Sequence, residues 1–186
     1  MWRWLLSLAV AGLGSLVWAQ PPDAAWQALA QGRAVLMVRH ATAPGFGDPP
    51  GYRLDDCSTQ RNLNDVGRGE ARRWGELLRR QGIERARVFS SRWCRARETA
   101  ELMGLGPVNA LPALDSFVDD RSREAVQTAE LRRHLANLEP GPPVVLVAHQ
   151  VNITALTGGW ARSGEGLILA LPLAEPPQVL ARIPPP

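Results

Sequence analysis

The stretch AVLMVRH, residues 34–40, decides the fold class of this chain. Its five consecutive apolar residues predict a strand buried on both faces, which is typical of the parallel sheets of α/β domains. The stretch VVLVAH, residues 144–149, repeats the pattern and also ends at a histidine. A third predicted strand covers 86–90, and weaker strand patterns cover 166–171 and 178–183.

Helical patterns separate these strands. Asn64 is a typical N-cap, and the apolar residues after it recur at helical spacing until Gly82. Ser91 is the predicted N-cap of a helix that continues through Met103, and 128–138 forms a further predicted helix. Strands that alternate with helices predict an α/β domain with a mostly parallel or mixed sheet.

The first residues of the chain are typical of a secretory signal. Arg3 provides a positive charge, an apolar stretch of about fifteen residues follows, and Ala19 is suited to signal cleavage. That stretch is shorter than the roughly 20 residues that a membrane-spanning helix needs. We therefore expect a cleaved signal at 1–19, a linker with a short helix at 20–33 and one domain at 34–186. The mature protein would be periplasmic or secreted, without a stable membrane span, and an uncleaved anchor is the alternative.

The charge composition argues against a nucleic-acid partner. All 21 cationic side chains are arginines, and the formal net charge is +3. Surfaces that bind nucleic acid carry clustered, uncompensated positive charge. Here the densest run of arginines, 72–97, is interspersed with glutamates and flanked by others. Nucleic acid is therefore not an expected partner.

The two cysteines suggest a disulfide. Cys57 lies in a Gly- and Pro-rich stretch, 41–63, that lacks periodicity and is too long for a simple connection. Export would place Cys57 and Cys94 in an oxidising compartment, where an even number of cysteines favours pairing. A bridge would tie the 41–63 loop to the predicted helix that follows the third strand. Two reduced thiols are the alternative.

Polar residues follow the predicted strands at their carboxyl ends. Arg39, His40 and His149 come directly after the two apolar runs, and several arginines of 92–97 follow the third strand. In open α/β sheets, ligands bind at this edge, so these side chains are expected in one crevice. Guanidinium groups suit phosphate oxygens, and a neutral histidine can attack phosphorus. This chemistry requires no metal or cofactor, and the chain shows no familiar zinc-binding spacing.

Four motifs resemble those of the histidine phosphatase superfamily, also called the phosphoglycerate mutase-like fold. They are VRHA at 38–41, LNDVG at 63–67, SSRWCRARETA at 90–100 and VAHQ at 147–150. The resemblance extends over about 34–172. It implies a three-layer phosphoglycerate mutase-like fold with a mostly parallel central sheet and no lid domain.

The resemblance also implies a role for each motif residue. His40 would be the nucleophile, Arg39 and Arg95 would bind the phosphoryl oxygens, and His149 would be the second histidine of the pocket. The residues that could contact substrate are Arg92, Gln150 and Asn152. The implied reaction is metal-free hydrolysis of a phosphomonoester through a phosphohistidine. Size and leader resemble a small periplasmic branch that includes a lipopolysaccharide core heptose phosphatase, so the substrate would be a small molecule or a surface glycan.

The chain departs from the family pattern at two places. Ala41 replaces a common glycine, and the family's acidic proton donor in an L-x-E pattern is missing after Leu114. Asp115 is the first candidate for this acid. The other candidates are Asp119, Asp120, Asp55 and Asp56. The missing glutamate leaves a second interpretation open, a non-catalytic pseudo-phosphatase that binds phosphorylated ligands. Trp93 and Trp160 would line the mouth of the pocket or pack at the surface.

Overall fold

The computed structural model of the protein describes residues 22–186. The predicted signal at 1–19 and the beginning of the predicted linker lie outside the described residues. The described helices are α1 (Pro22–Ala30), α2 (Asp65–Arg80), α3 (Cys94–Met103), α4 (Glu124–Ala136) and α5 (Gln150–Thr157). The described strands are β1 (Ala34–Arg39), β2 (Arg87–Ser90), β3 (Val108–Ala110), β4 (Val144–Ala148), β5 (Gly166–Ala170) and β6 (Val179–Ile183).

The six strands form one mixed sheet in the order β3-β2-β4-β1-β5-β6. The pairs β2–β3, β2–β4 and β1–β4 are parallel, whereas β1–β5 and β5–β6 are antiparallel. The two strands that contain the apolar runs, β1 and β4, lie side by side in the centre, with Val38 opposite Val147. This arrangement confirms the predicted α/β fold with a mostly parallel sheet.

Helices cover both faces of the sheet. Leu36 and Val38 of β1 point to the face where Trp74 of α2 is buried, with α1 and α3 beside it. Val35 and Met37 point to the opposite face, which α4 and α5 cover. Because side chains of a strand alternate between faces, a central strand between two helical layers must be apolar at every position. This explains the unbroken apolar runs and gives the domain its three layers.

The boundaries of the helices partly agree with the sequence patterns. The Asn64 side chain accepts the Gly67 N–H at 2.9 Å, so it caps α2 as predicted. Ser91 does not cap α3, because α3 begins at Cys94 and its N-cap is Trp93. Ser91 instead lies in the turn between β2 and α3, where its hydroxyl has other partners. Helix α4 begins four residues earlier than the predicted 128.

The connection between β1 and α2 is the long loop predicted at 41–63. A disulfide between Cys57 and Cys94, with Cα atoms 5.7 Å apart, joins this loop to the first residue of α3. In the described part of the chain, no inserted lid domain interrupts the alternation of strands and helices. Within residues 22–186, no helix is both long enough and apolar enough to cross a membrane.

Candidate active site

The carboxyl ends of the three parallel strands β1, β4 and β2 meet at one edge of the sheet. The His40 N–H donates to the Ala148 carbonyl at 2.9 Å, which places the two histidine-bearing strand ends side by side. The Ser91 N–H donates to the Val147 carbonyl at 3.0 Å, which brings the end of β2 to the same edge. The predicted convergence of Arg39, His40 and His149 with the residues after β2 is therefore present in the fold.

His40 is held as a neutral imidazole with one free nitrogen. Its Nδ1 lies 2.8 Å from the Ala41 carbonyl oxygen, which only accepts, so Nδ1 carries the proton and Nε2 keeps a lone pair. Burial lowers the pKa of His40 well below its usual value, and the positive charge of Arg95 lowers it further. A neutral imidazole with an unprotonated Nε2 is the form that can act as a nucleophile.

His149 lies against His40 and is oriented by Ser91. The two imidazole rings meet edge to face, with centroids 5.3 Å apart. His149 Nε2 lies 2.8 Å from Ser91 Oγ, while the Ser91 hydroxyl faces Asp115 Oδ1 at 3.3 Å. Because the hydroxyl proton is directed at this carboxylate, Ser91 accepts from His149, and Nε2 of His149 carries the proton. Burial also lowers the pKa of His149 well below its usual value, with a further contribution from Arg95.

Two arginines bring unused donors to this pair of histidines. Nε of Arg39 and Nε of Arg95 are both buried, and neither has a hydrogen-bond partner among the described residues. The Arg39 guanidinium is held through Nη1 by the Ala161 carbonyl at 2.9 Å. Burial lowers the pKa of Arg39, and the neighbouring charge of Arg95 adds to this effect. Buried donors without partners are energetically costly, so they indicate an anion that would satisfy them.

A cavity of about 360 Å³ opens beside these groups. Its charged and polar lining consists of Arg39, Arg61, Arg95, Arg121, Ser116, His149 and Gln150. Its apolar lining consists of Val118, Val151, Phe46 and Trp160, with Gly45 and Gly47 beside Phe46. His40 is only 2% exposed and lies behind this lining, next to His149. The cavity is rich in positive charge, which favours an anionic ligand.

The 41–63 loop contributes two site residues that the sequence analysis missed. Asp48 accepts from Arg95 Nη1 at 2.8 Å, and both side chains are almost completely buried. The same carboxylate accepts the Trp93 indole N–H at 3.0 Å and the Arg61 backbone N–H at 2.9 Å. Arg61 reaches the cavity, and burial together with Arg95 lowers its pKa to about 10. Neither residue belongs to a segment with helical or strand periodicity. Only the unusual length of the loop indicated that this region has a function.

The predicted acid candidates do not line the cavity. Asp115 is fully buried and accepts from the Arg92 backbone N–H at 2.9 Å and from Arg92 Nε at 2.8 Å. It therefore faces Arg92 and Ser91 behind His149 and cannot reach a substrate directly. Asp119 and Asp120 are exposed, and Asp120 caps a short turn through the Ser122 N–H. Asp55 is exposed, and Asp56 forms an ion pair with Arg53.

The three candidate substrate contacts have different positions. Gln150 lines the cavity, where its Oε1 accepts the Ala161 N–H at 3.0 Å. Arg92 does not line this cavity, because its guanidinium is paired with Asp115. Asn152 is buried, and its side chain joins the His149 N–H to the Asp115 carbonyl. Asn152 therefore holds the histidine segment in place rather than facing a ligand.

The disulfide lies next to Arg95, an arginine that the resemblance assigns to phosphoryl binding. Cys94 immediately precedes Arg95 in α3, and the Cys94 N–H donates to Gln60 Oε1 at 3.0 Å. Arg97 Nη2 lies 3.2 Å from Cys57 Sγ on the outer side. The covalent bridge and these contacts hold the 41–63 loop against the start of α3. The loop residue that pairs with Arg95 is thereby kept in position.

Comparisons with known proteins agree with this fold and site. Residues 35–117 match the sequence profile of the histidine phosphatase superfamily (branch 1). A search of curated protein sequences finds no match. A structure of the protein histidine phosphatase SixA with tungstate has a TM-score of 0.59 at 22% identity, covering 82% of this chain and 97% of that chain.

Two further solved structures have the same fold. The mycobacterial glucosyl-3-phosphoglycerate phosphatase with inorganic phosphate has a TM-score of 0.57 at 19% identity, covering 83% of this chain and 97% of that one. A SixA-type phosphohistidine phosphatase from Agrobacterium tumefaciens has a TM-score of 0.54 at 18% identity, covering 83% of this chain and 99% of that one. At these identities the likeness concerns the fold alone.

The fold, the profile match and the paired histidines define the class as a phosphatase with an arginine- and histidine-lined pocket. Residues 35–117, which hold the first three motifs, belong to the histidine phosphatase superfamily (branch 1), and the described chain has the fold of solved phosphatases.

Proposed function

We propose that this protein is an exported phosphomonoesterase that works through a phosphohistidine on His40, without a metal ion. The observation that carries the proposal is the pair of buried, unpartnered Nε–H groups of Arg39 and Arg95 beside a neutral His40 with a free Nε2. A phosphoryl group would accept from both guanidinium groups while its phosphorus faces His40. Phosphatase activity of the solved structures with this fold supports the same reaction class.

In the proposed first step, the phosphoryl oxygens accept hydrogen bonds from the unpartnered Nε–H groups of Arg39 and Arg95. Guanidinium groups match the geometry of phosphate and keep their charge at neutral pH. Arg61, at the loop side of the cavity, adds positive charge. Because His40 is 2% exposed, the side chains around it, including those of the 41–63 loop that line the cavity, would shift slightly when the substrate enters. The bridge between Cys57 and Cys94 limits how far this loop can move.

In the chemical step, the Nε2 lone pair of His40 forms a bond to phosphorus as the ester P–O bond breaks. The electron pair of that bond leaves with the alcohol or phenol oxygen. Positive groups around the phosphoryl oxygens stabilise the transition state. Water then attacks the phosphohistidine, the P–N bond breaks, its electron pair returns to Nε2, and inorganic phosphate leaves.

We assign Asp115 a positioning role in this reaction. Its carboxylate directs the Ser91 hydroxyl, and Ser91 in turn accepts the Nε2–H of His149. This series of hydrogen bonds holds the His149 ring against His40. Asp115→Asn would therefore lower kcat by changing the orientation of His149, without removing a group that touches the substrate.

Export and the domain boundaries belong to the same proposal. The leader at 1–19 would be removed, and the domain at 34–186 would act in the periplasm or outside the cell on a small or glycan-borne phosphomonoester. The disulfide supports an oxidising location. Mass spectrometry of the protein secreted from its host would show a mature chain that begins at residue 20. An intact N-terminus would contradict cleavage.

The decisive experiment is hydrolysis of p-nitrophenyl phosphate in EDTA by the mature protein. Wild type should turn over, and His40→Ala should lose at least about 10³-fold in kcat, the scale of a nucleophile deletion. Acid quenching should trap a phosphoenzyme that His40→Ala cannot form. His134→Ala is the matched control, because this half-buried histidine lies on α4 outside the cavity.

None of the described residues that line the cavity is Asp or Glu, and this favours a second candidate, a module that binds phosphorylated ligands without turning them over. In that case the folded wild type would show no turnover above His40→Ala. It would still bind inorganic phosphate, and Arg39→Ala and Arg95→Ala would weaken this binding. Turnover that depends on His40 would exclude this candidate.

A further inference from the structure

Two exposed aromatic side chains border the candidate active site. Phe46 is 92% exposed and Trp160 is 62% exposed, and both line the cavity that contains Arg39, Arg61 and His149. We call Phe46 and Trp160 the aromatic rim. Leaving two large aromatic side chains in water forgoes the stabilisation that burial gives, about 1.5–3 kcal/mol for a residue such as Phe. The rim therefore needs an explanation outside the packing of the domain.

Hydrogen bonds fix the backbone around Phe46, whereas its side chain is exposed. Gly45 and Gly47 both have positive φ values, 89° and 66°, which turn the chain sharply on either side of Phe46. Arg61 Nε donates to the Gly47 carbonyl at 2.7 Å, and Arg61 Nη1 donates to the Ala43 carbonyl. The loop thus presents an aromatic ring from a backbone that a site arginine fixes.

Trp160 is linked directly to the phosphoryl-binding arginine. The guanidinium carbon of Arg39 lies 5.9 Å from the centre of the Trp160 ring, within the range of a cation–π contact. Arg39 also donates to the carbonyl of Ala161, the next residue. A phosphoryl group bound to Arg39 would therefore lie close to the Trp160 ring.

The lining of the cavity is poor in acids, and the exposed candidate Asp119 lies outside it, where its carboxylate accepts from the Tyr52 hydroxyl at 3.4 Å. Among the described residues that line the cavity, none is Asp or Glu. His40 and His149 are both neutral, because burial lowers the pKa of each well below its usual value. An alkoxide is a poor leaving group without a proton donor. A phenolate can leave without being protonated, because phenols have pKa values near 10.

We propose that this site selects aryl phosphate monoesters, with the aromatic rim binding the phenol ring. The inference rests on the proposed function, because it concerns the substrate of the same phosphatase site. In the step, the bond from His40 Nε2 to phosphorus forms as the P–O bond to the ring oxygen breaks. The electron pair leaves on the phenolate, which takes its proton from water. Water later cleaves the phosphohistidine and releases phosphate.

Binding tests the rim independently of turnover. Phenylphosphonate, which cannot be hydrolysed, should bind at least about 10-fold more tightly than methylphosphonate by calorimetry, which corresponds to about 1.4 kcal/mol. Phe46→Ala and Trp160→Ala should each remove most of this difference, whereas Trp160→Phe should retain most of it. Cyclohexylphosphonate should bind more weakly than phenylphosphonate. Val126→Ala is the control, since Val126 is an exposed apolar residue of α4 away from the cavity.

Turnover tests the leaving group. The value of kcat/KM should rise steeply with the acidity of the phenol, from phenyl phosphate to p-nitrophenyl phosphate. Benzyl phosphate also carries a ring but releases an alkoxide, and it should react at least about 10²-fold more slowly than phenyl phosphate, the lower end of what a general acid supplies. The rim variants should raise KM for phenyl phosphate far more than for a short alkyl phosphate.

The outcomes separate this inference from the proposed function. Equal affinity for phenylphosphonate and methylphosphonate would refute binding of the phenol ring by the aromatic rim. Rim variants with wild-type affinity for both ligands would refute it as well. Comparable turnover of benzyl and phenyl phosphate would overturn selection by the leaving group. In either case, turnover that depends on His40 would leave the phosphatase function intact. If wild-type protein shows no turnover but still binds phenylphosphonate tightly, catalysis is refuted and the rim remains an aryl-phosphate binding site.

Discussion

The buried ion pair between Asp48 and Arg95 provides a sharp test of how the 41–63 loop shapes the site. The carboxylate has about 1% of its surface exposed and accepts from Arg95, from the Trp93 indole and from the Arg61 backbone. Asp48→Asn keeps the shape and removes the charge, and it turns an amide N–H toward groups that are all donors. The Arg95 guanidinium then stays buried without its counter-charge.

The expected loss of stability is large. Removing one partner of a buried ion pair typically costs about 3–5 kcal/mol, because the remaining charge cannot be solvated. For a domain of this size, such a loss lowers Tm by roughly 6–20 °C, at about 2–4 °C per kcal/mol. Trp93→Phe removes one neutral donor and part of a buried ring, and should cost about 1–3 kcal/mol. The exposed pair of Arg97 and Glu101 is the control, and Glu101→Gln should change stability by about 0.5 kcal/mol or less.

Urea unfolding and phosphate titration measure these effects together. Inorganic phosphate carries the negative charge that Asp48→Asn removes, so it should raise the Tm of this variant more than that of wild type. Phosphate should also bind the variant more tightly, since the negative charge of the carboxylate at Arg95 Nη1 no longer repels it. A variant as stable as wild type, with an unchanged response to phosphate, would refute the role assigned to this ion pair.

Three further perturbations follow from other parts of the fold. Cys57→Ser should lower the free energy of unfolding by about 2–5 kcal/mol, the usual contribution of a native disulfide. It should also reduce turnover by loosening the 41–63 loop, and an unchanged Tm with unchanged activity would contradict this. His40 and His149 are buried and neutral, so the unfolded state binds up to two more protons than the native state below pH 6.5. The free energy of unfolding should then fall by up to about 2.7 kcal/mol per pH unit as the pH drops from 6.5 toward 5, and equal stability at pH 5.5 and 7.5 would argue against it. Gly67→Ala should cost about 1–3 kcal/mol by calorimetry, because the added methyl would meet the backbone of the loop after β1. Gly69→Ala, which meets only a flexible arginine side chain in the same helix, should be neutral or stabilising, and similar losses for both variants would contradict this explanation.

Much of the scaffold could be predicted from local sequence. The apolar runs of β1 and β4 predict strands buried between two layers, and the histidines that end them are then expected at one edge of the sheet. The N-cap at Asn64 was equally readable, since a cap depends on residues within one turn. Ser91 was misread because a serine before a helix is a typical cap, whereas here its hydroxyl is used by His149 and Asp115.

The resemblance to the family pointed to Arg95 as the arginine of the site. The sequence by itself determined which strands are central and which histidines end them. These features depend on short-range patterns that burial imposes directly. Only the tertiary structure decided that Asp48 neutralises Arg95, that Asp115 lies behind His149 and that Phe46 and Trp160 border the cavity. The positions of Asp48 and Phe46 depend on the path of a long loop without periodicity, which is set by a disulfide and by contacts between residues far apart in the chain. Trp160 lies in the connection between α5 and β5, and its contact with Arg39 also joins residues far apart in the chain. The position of Asp115 follows from its burial against Arg92, a contact that no local pattern records.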